Sequence, residues 1–185
     1  GFSHRLLRCS CVIWQFKNLD ELKAKYNEVI NVLENSYDGE VNTPDVQRLK
    51  GMIREFEEEL VWAYNGVSVK NVHHLHLGFY QDKGITKGPN MQRDVMPILN
   101  QFREIQPDII SVTLDPEGSG PDTHYKVLQA TAAAVSEWSK EKDLSNVRIY
   151  GYRNVWFKFH PAEANMYVPV SLNALAVLDK SFAAS

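Results

Sequence analysis

The chain has 185 residues, of which 44% are hydrophobic and 23% are charged; this composition is typical of one soluble globular domain with its own core. The formal net charge is -3, which argues against a nucleic-acid surface because such surfaces need an excess of basic residues. No apolar run approaches the roughly 20 residues that a membrane span requires.

The first third of the chain is predicted to be helical. Residues 6–16 favour a helix, although their apolar centre is also compatible with a strand. Asn18 or Asp20 is a good N-cap for a second helix, in which apolar residues follow at helical spacing. Thr43, followed by a proline, predicts the start of a third helix over Pro44–Tyr64.

Cys9 and Cys11 lie two positions apart in the first predicted helix. Cysteines that close in sequence are poor disulfide partners, which favours a reducing compartment and therefore a cytoplasmic location. A pair with this spacing can bind a metal, but no second cysteine pair completes a site. Structural cysteines are the favoured interpretation.

The rest of the chain alternates short apolar segments with helical patterns. Such alternation predicts an α/β fold with βαβ units and a mostly parallel sheet flanked by helices. The strands are predicted at Val72–Leu77, Ile109–Leu114 and Val147–Tyr152, and the helices at Met91–Ile105, Thr123–Lys140 and Leu172–Phe182, the last capped by Ser171. Three strands make a thin sheet, so a single partial domain over residues 1–185 is expected, with residues 1–43 as a helical insertion or lead-in and with both ends cut.

One loop carries the strongest chemical signal. Asp115 begins a run rich in Gly and Pro after the second predicted strand, and His124 stands at the start of the next helix. Ligands of open α/β sheets collect where loops leave the carboxyl ends of strands. A histidine in this position is a candidate metal ligand or acid/base group.

The chain from Val72 onward resembles the PIG-L/LmbE-like family of metal-dependent sugar de-N-acetylases. Asn71–Leu77 is similar to the family's strand before its variable loop, Gln106–Ile110 to its strand that begins with Lys-Pro-Asp, and Asp115–His124 to its loop that ends in His-Pro-Asp-His. The resemblance covers residues 44–183 and implies a three-layer, Rossmann-like fold that is incomplete at the N-terminus. Arg48–Arg54 is similar to a segment of the subgroup in which this domain follows a glucosamine-6-phosphate deaminase/isomerase-like domain.

The resemblance implies a zinc-dependent hydrolase of N-acetyl amino sugars, with His124 as one metal ligand and Asp115 as the residue that orients it. In the family a His-Pro-Asp-Asp motif supplies two further ligands and the general base, and this sequence lacks that motif. Thr123 also stands where the family has a carboxylate. We therefore expect zinc in the intact protein and little or no activity from this chain alone.

Charged residues and histidines outside this loop are further candidates for a functional role. Arg54 and Arg153 are candidate substrate-binding residues, because a guanidinium suits sugar hydroxyls and phosphates; a surface ion pair is an equal alternative for Arg54. The acidic run Glu55–Glu59 is interpreted as a solvated helix face. On a strand, His74 and His76 would share one face, but ordinary strand residues are favoured over a metal cluster.

The expected partner is a small amino sugar, with no nucleic acid. A parallel sheet that lacks its first strand exposes an edge, which favours contact with an adjacent deaminase-like domain or association of two copies. The alternative function is a non-catalytic α/β module that supports such a deaminase-like domain.

Overall fold

The computed structural model describes residues 2–80, 88–115, 122–153 and 158–184. They contain six α-helices and two β-strands, which confirms the α/β class; the Rossmann-like arrangement stays a prediction. The elements are α1 Phe2–Trp14, α2 Leu19–Asn35, α3 Pro44–Tyr64, α4 Met96–Ile105, β1 Ile109–Thr113, α5 Asp122–Trp138, β2 Arg148–Tyr152 and α6 Leu172–Ala184. Every helix in these ranges is too short or too polar to cross a lipid bilayer.

The chain divides into two compact units, Gly1–His74 with Pro169–Ser185, and Leu75–Val168. The interpretation as one domain stays a prediction. The first unit contains α1, α2, α3 and α6, and its caps are those expected from the sequence. The side chains of Asn18, Thr43 and Ser171 accept hydrogen bonds from the first backbone N–H groups of α2, α3 and α6.

A polar junction holds the first three helices of this unit together. Asp45 in α3 accepts a hydrogen bond from the indole N–H of Trp14 in α1 at 2.8 Å. Its second carboxylate oxygen lies 2.7 Å from the ammonium group of Lys25 in α2. The hydrogen bond from Lys25 is the largest of the effects that lower the pKa of Asp45, and the bond from Trp14 adds to it. One carboxylate therefore connects three helices.

The second unit is built around two parallel strands of five residues each. Ile109 pairs with Arg148 and Thr113 with Tyr152. Ile110 and Val112 are buried, whereas the alternating Ile109 is 57% exposed, so one face of the sheet packs against a core. That core includes residues of α4 and α5: Ile98, Leu99, Phe102, Ala130, Ala134 and Trp138.

The predicted strand at Val72–Leu77 is wrong. A 3₁₀ turn occupies Val69–Asn71, and residues 72–77 have irregular backbone. His76 has a φ of 49°, in the left-handed region that an extended strand does not visit. The alternating apolar residues of this segment still act as core residues, since Leu77 is buried beside α4 and α5.

The face of α5 that contains Ala134 is closely packed against the core. Ala134 is fully buried, whereas Ala132 on the same helix is exposed. We expect Ala134→Leu to lower the free energy of unfolding by about 1–3 kcal/mol, because added volume in a filled core forces side chains out of their preferred rotamers. Ala132→Leu should change it by less than about 0.5 kcal/mol. Urea denaturation of both variants measures the difference, and equal effects would contradict this packing.

Candidate functional site

The structure brings together the two residues that the sequence singles out. Asp115 follows the end of β1, and His124 lies in the first turn of α5. His124 Nδ1 is 3.1 Å from Asp115 Oδ2. Asp115 is 2% exposed, and the side chain of His124 is 26% exposed. Residues 116–121 of the connecting loop lie outside the described ranges.

This geometry fixes the direction of the imidazole ring. A carboxylate accepts hydrogen bonds, so the contact places the proton on Nδ1 of His124. Nε2, on the opposite side of the ring, then carries the lone pair that can bind a metal or accept a proton. Metal-binding histidines commonly have such a carboxylate behind the ring. The pair is thus arranged as the sequence interpretation of Asp115 requires, and the metal role of His124 stays a prediction.

A buried lysine strengthens the first turn of α5. The ammonium group of Lys126 contacts the carboxylate of Asp122 one turn earlier, and the lysine side chain is 9% exposed. A carboxylate at the N-terminus of a helix also interacts favourably with the helix dipole. The start of α5, which carries His124, is therefore held by its own ion pair.

Arg153 directly follows the end of β2. The pairing of the strands extends beyond β1, because the N–H of Leu114 donates to the carbonyl of Tyr152 at 2.7 Å. The strands are parallel, so Asp115 and Arg153 follow neighbouring strands at the same edge. The predicted substrate-binding residue Arg153 therefore lies at the carboxyl edge of the sheet, next to the end of the strand that carries Asp115.

The described residues do not form a complete metal site. In these parts of the chain, no group of three or more His, Cys, Asp or Glu side chains could hold a metal ion. Zinc sites of hydrolases use three protein ligands and one open position, whereas the contact described above joins one histidine and one carboxylate. Cys9 and Cys11 form no disulfide.

His73, His74 and Arg54 belong to the first unit, whereas His76 belongs to the second. His74 Nε2 lies 3.5 Å from Glu59 Oε1 of α3, so this histidine packs on a helix instead of sharing a strand face with His76. Glu59 is 8% exposed, which makes the interpretation of Glu55–Glu59 as a solvated face wrong at its last residue. Arg54 is an exposed residue of α3, and its role in substrate binding stays a prediction.

Sequence reasoning missed Asp94, which is fully buried before α4. It accepts hydrogen bonds from the backbone N–H groups of Gly78 at 2.9 Å and Asn90 at 2.8 Å. The guanidinium of Arg93 adds further bonds through Nε and Nη2. A Cβ at position 78 would lie 2.0 Å from Arg93 Nε, so a larger residue there would displace the guanidinium from its present position. One carboxylate thus joins the two ends of the segment 78–90.

Burial by itself would raise the pKa of Asp94, but the hydrogen bonds from Arg93, Asn90 and Gly78 outweigh it and hold the pKa below the usual 3.8. Asp94 lies in a π-helical turn, Met91–Val95, that precedes α4. The signal that could have identified it is an aspartate in such a first helical turn behind a segment that contains glycines. Such a carboxylate often binds backbone N–H groups.

Comparison with known proteins identifies a similar protein from Bacteroides thetaiotaomicron, whose name describes it as glucosamine-6-phosphate deaminase-like. The two are 34% identical over 163 residues, which is 84% of this chain and 24% of that protein. The chain therefore spans about a quarter of the length of the curated relative it matches. No protein-family profile matches the chain, and no solved structure matches it.

The buried carboxylate of Asp94 predicts a pH-dependent stability. Because its folded pKa is lowered, its contribution is fully present above the unfolded value of 3.8 and is lost as the pH falls through the folded value. We expect Asp94→Asn to lower the free energy of unfolding at pH 6 by about 1–3 kcal/mol. The loss should shrink towards pH 3.

Urea denaturation at pH 6 and pH 3 measures both effects. Glu104→Gln, an exposed carboxylate on α4, serves as the control and should change little at either pH. An Asp94→Asn variant with native stability at pH 6 would contradict the role assigned to this carboxylate.

Proposed function

We propose that this chain is part of a metal-dependent hydrolase that removes the acetyl group from an N-acetylated amino sugar. The observation that carries the proposal is the hydrogen bond between Asp115 and His124, placed where β1 ends and α5 begins. Residues at the carboxyl ends of parallel strands are where α/β proteins bind their ligands. The name of the Bacteroides relative refers to glucosamine 6-phosphate, which supports an amino sugar as the substrate class.

In this proposal each residue has a separate task. His124 provides one ligand of a zinc ion through Nε2, and Asp115 keeps the ring in the orientation that this requires. Arg153, which belongs to the same unit as Asp115 and His124, is a substrate-binding residue. The remaining ligands and the general base come from polypeptide outside the 185 residues, so this chain alone has little or no hydrolase activity.

A substitution at His124 tests the proposal in the longest protein that the gene encodes. We expect His124→Ala to remove the bound metal, as measured by elemental analysis, and to lower the release of acetate from N-acetylglucosamine 6-phosphate at least about 100-fold. His160→Ala is the matched control, because His160 is exposed and its Nδ1 accepts only a local bond from Ala162 N–H. If elemental analysis finds no divalent metal in the unchanged longer protein, the proposal is wrong.

A substitution at Asp115 separates orientation of the ring from metal binding itself. Asp115→Asn keeps the shape of the side chain but weakens the hydrogen bond to Nδ1 of His124. We expect it to lower metal affinity and activity about 10–100-fold, the range found when such supporting partners are replaced. Competition with a metal-sensitive dye measures the affinity. An affinity equal to that of the unchanged protein would show that Asp115 does not act through His124.

The alternative is a non-catalytic module that supports a glucosamine-6-phosphate deaminase-like domain. It is favoured by the finding that the described residues contain no group of three metal-binding side chains. Under this alternative, His124→Ala leaves every activity of the longer protein unchanged. The genomic sequence upstream of Gly1 is the simplest discriminator: a strand that ends in His-Pro-Asp-Asp favours the hydrolase.

A further inference from the structure

Arg153 has a hydrogen-bonding edge that the fold leaves unused. Its Nη1 donates to the carbonyl of Lys158 at 3.3 Å and lies 3.7 Å from Glu163 Oε2. Its Nε is buried and makes no hydrogen bond within the part of the chain that the structure describes. Buried donors are almost always paired, so an unpaired Nε on a side chain that is still 22% exposed indicates a site that awaits a ligand.

The guanidinium is also held in a fixed plane. Its central carbon lies 4.5 Å from the centre of the Phe159 ring, within the range of a cation–π contact. The carbonyl of Lys158 fixes the Nη1 side. Together these contacts hold the plane of the guanidinium in one orientation. A guanidinium edge that is fixed in this way matches two oxygen atoms of one phosphate or carboxylate group.

The ion pair between Arg153 and Glu163 is too weak to account for the position of the arginine. The separation of 3.7 Å exceeds that of a good charged hydrogen bond, and the side chain of Glu163 is 56% exposed. Exposed pairs of this kind contribute about 0–1 kcal/mol. An anion that bound both nitrogen atoms of the unused edge would compete with Glu163 for the charge of the arginine.

We propose that Arg153 binds the anionic group, a phosphate, of an amino-sugar substrate whose reacting end lies at Asp115 and His124. The proposal rests on the proposed function and narrows its substrate class to phosphorylated amino sugars. The support is the common sheet edge: Asp115 and Arg153 follow the ends of two paired parallel strands.

The test measures binding to the 185-residue chain by NMR titration, without any need for turnover. The probes are N-acetylglucosamine 6-phosphate, N-acetylglucosamine and inorganic phosphate. We expect the sugar phosphate to bind at least tenfold more tightly than either of the other two. Arg153→Gln should remove at least nine-tenths of that advantage, and Arg153→Lys should restore only part of it. Arg148→Gln, at the opposite end of β2 and exposed, is the matched control and should keep the full advantage.

A variant that misfolds would also bind the sugar phosphate more weakly, so a second variant is chosen that is expected to bind it more tightly. Glu163→Gln removes the competing carboxylate and should tighten binding of N-acetylglucosamine 6-phosphate by up to about fivefold, because a surface pair worth about 0–1 kcal/mol is given up. Equal binding of the sugar and its phosphate, equal binding of inorganic phosphate and the sugar phosphate, or weaker binding after Glu163→Gln would overturn the proposal. Because no hydrolysis is measured, binding without any later deacetylase activity would refute the proposed function alone.

Discussion

The parallel pairing of β1 with β2 is the constraint on which the candidate site depends. Five residues of each strand pair in register, and the buried side chains Ile110 and Val112 fix which face of the sheet meets the core. A shift of one residue would turn these side chains outwards. The same register sets Asp115 and Arg153 at the ends of adjacent strands, so apolar packing decides where the polar chemistry lies.

Two buried aspartates serve different purposes around this sheet. Asp94 receives hydrogen bonds from Gly78, Asn90 and Arg93, and this set of donors keeps it charged and structural. Asp115 instead contacts His124, whose side chain is partly exposed. Asp115 therefore orients an imidazole ring that a ligand can reach. Burial of a carboxylate costs free energy unless hydrogen-bond donors surround it. Backbone N–H groups and Arg93 provide such donors for Asp94, and His124 provides one for Asp115.

The relation between pattern and structure differs from one element to another. Asn18, Thr43 and Ser171 begin helices as their side chains predict, because capping is a contact within a few residues. The strand predicted at Val72–Leu77 is wrong, since an alternating apolar pattern is satisfied by burial of Leu77 without any pairing partner. Asp115 and His124 flank one short loop and lie in contact, and the roles assigned to them stay predictions. Glu59 is buried, not solvated as its acidic neighbours indicated, and His74 lies 3.5 Å from its carboxylate.

The sequence by itself determined the helices, their caps, two of the strands and the Asp115–His124 pair, all of which depend on residues that are close along the chain. Only the tertiary structure decided the residue-by-residue register of β1 and β2, the position of Arg153, with an unpaired Nε, at the same end of the sheet as Asp115, and the contacts of Asp94 with Gly78 and Asn90. These contacts join residues that are far apart in sequence or depend on burial. No local pattern encodes them, since the energy of such a contact exists only after the chain has packed.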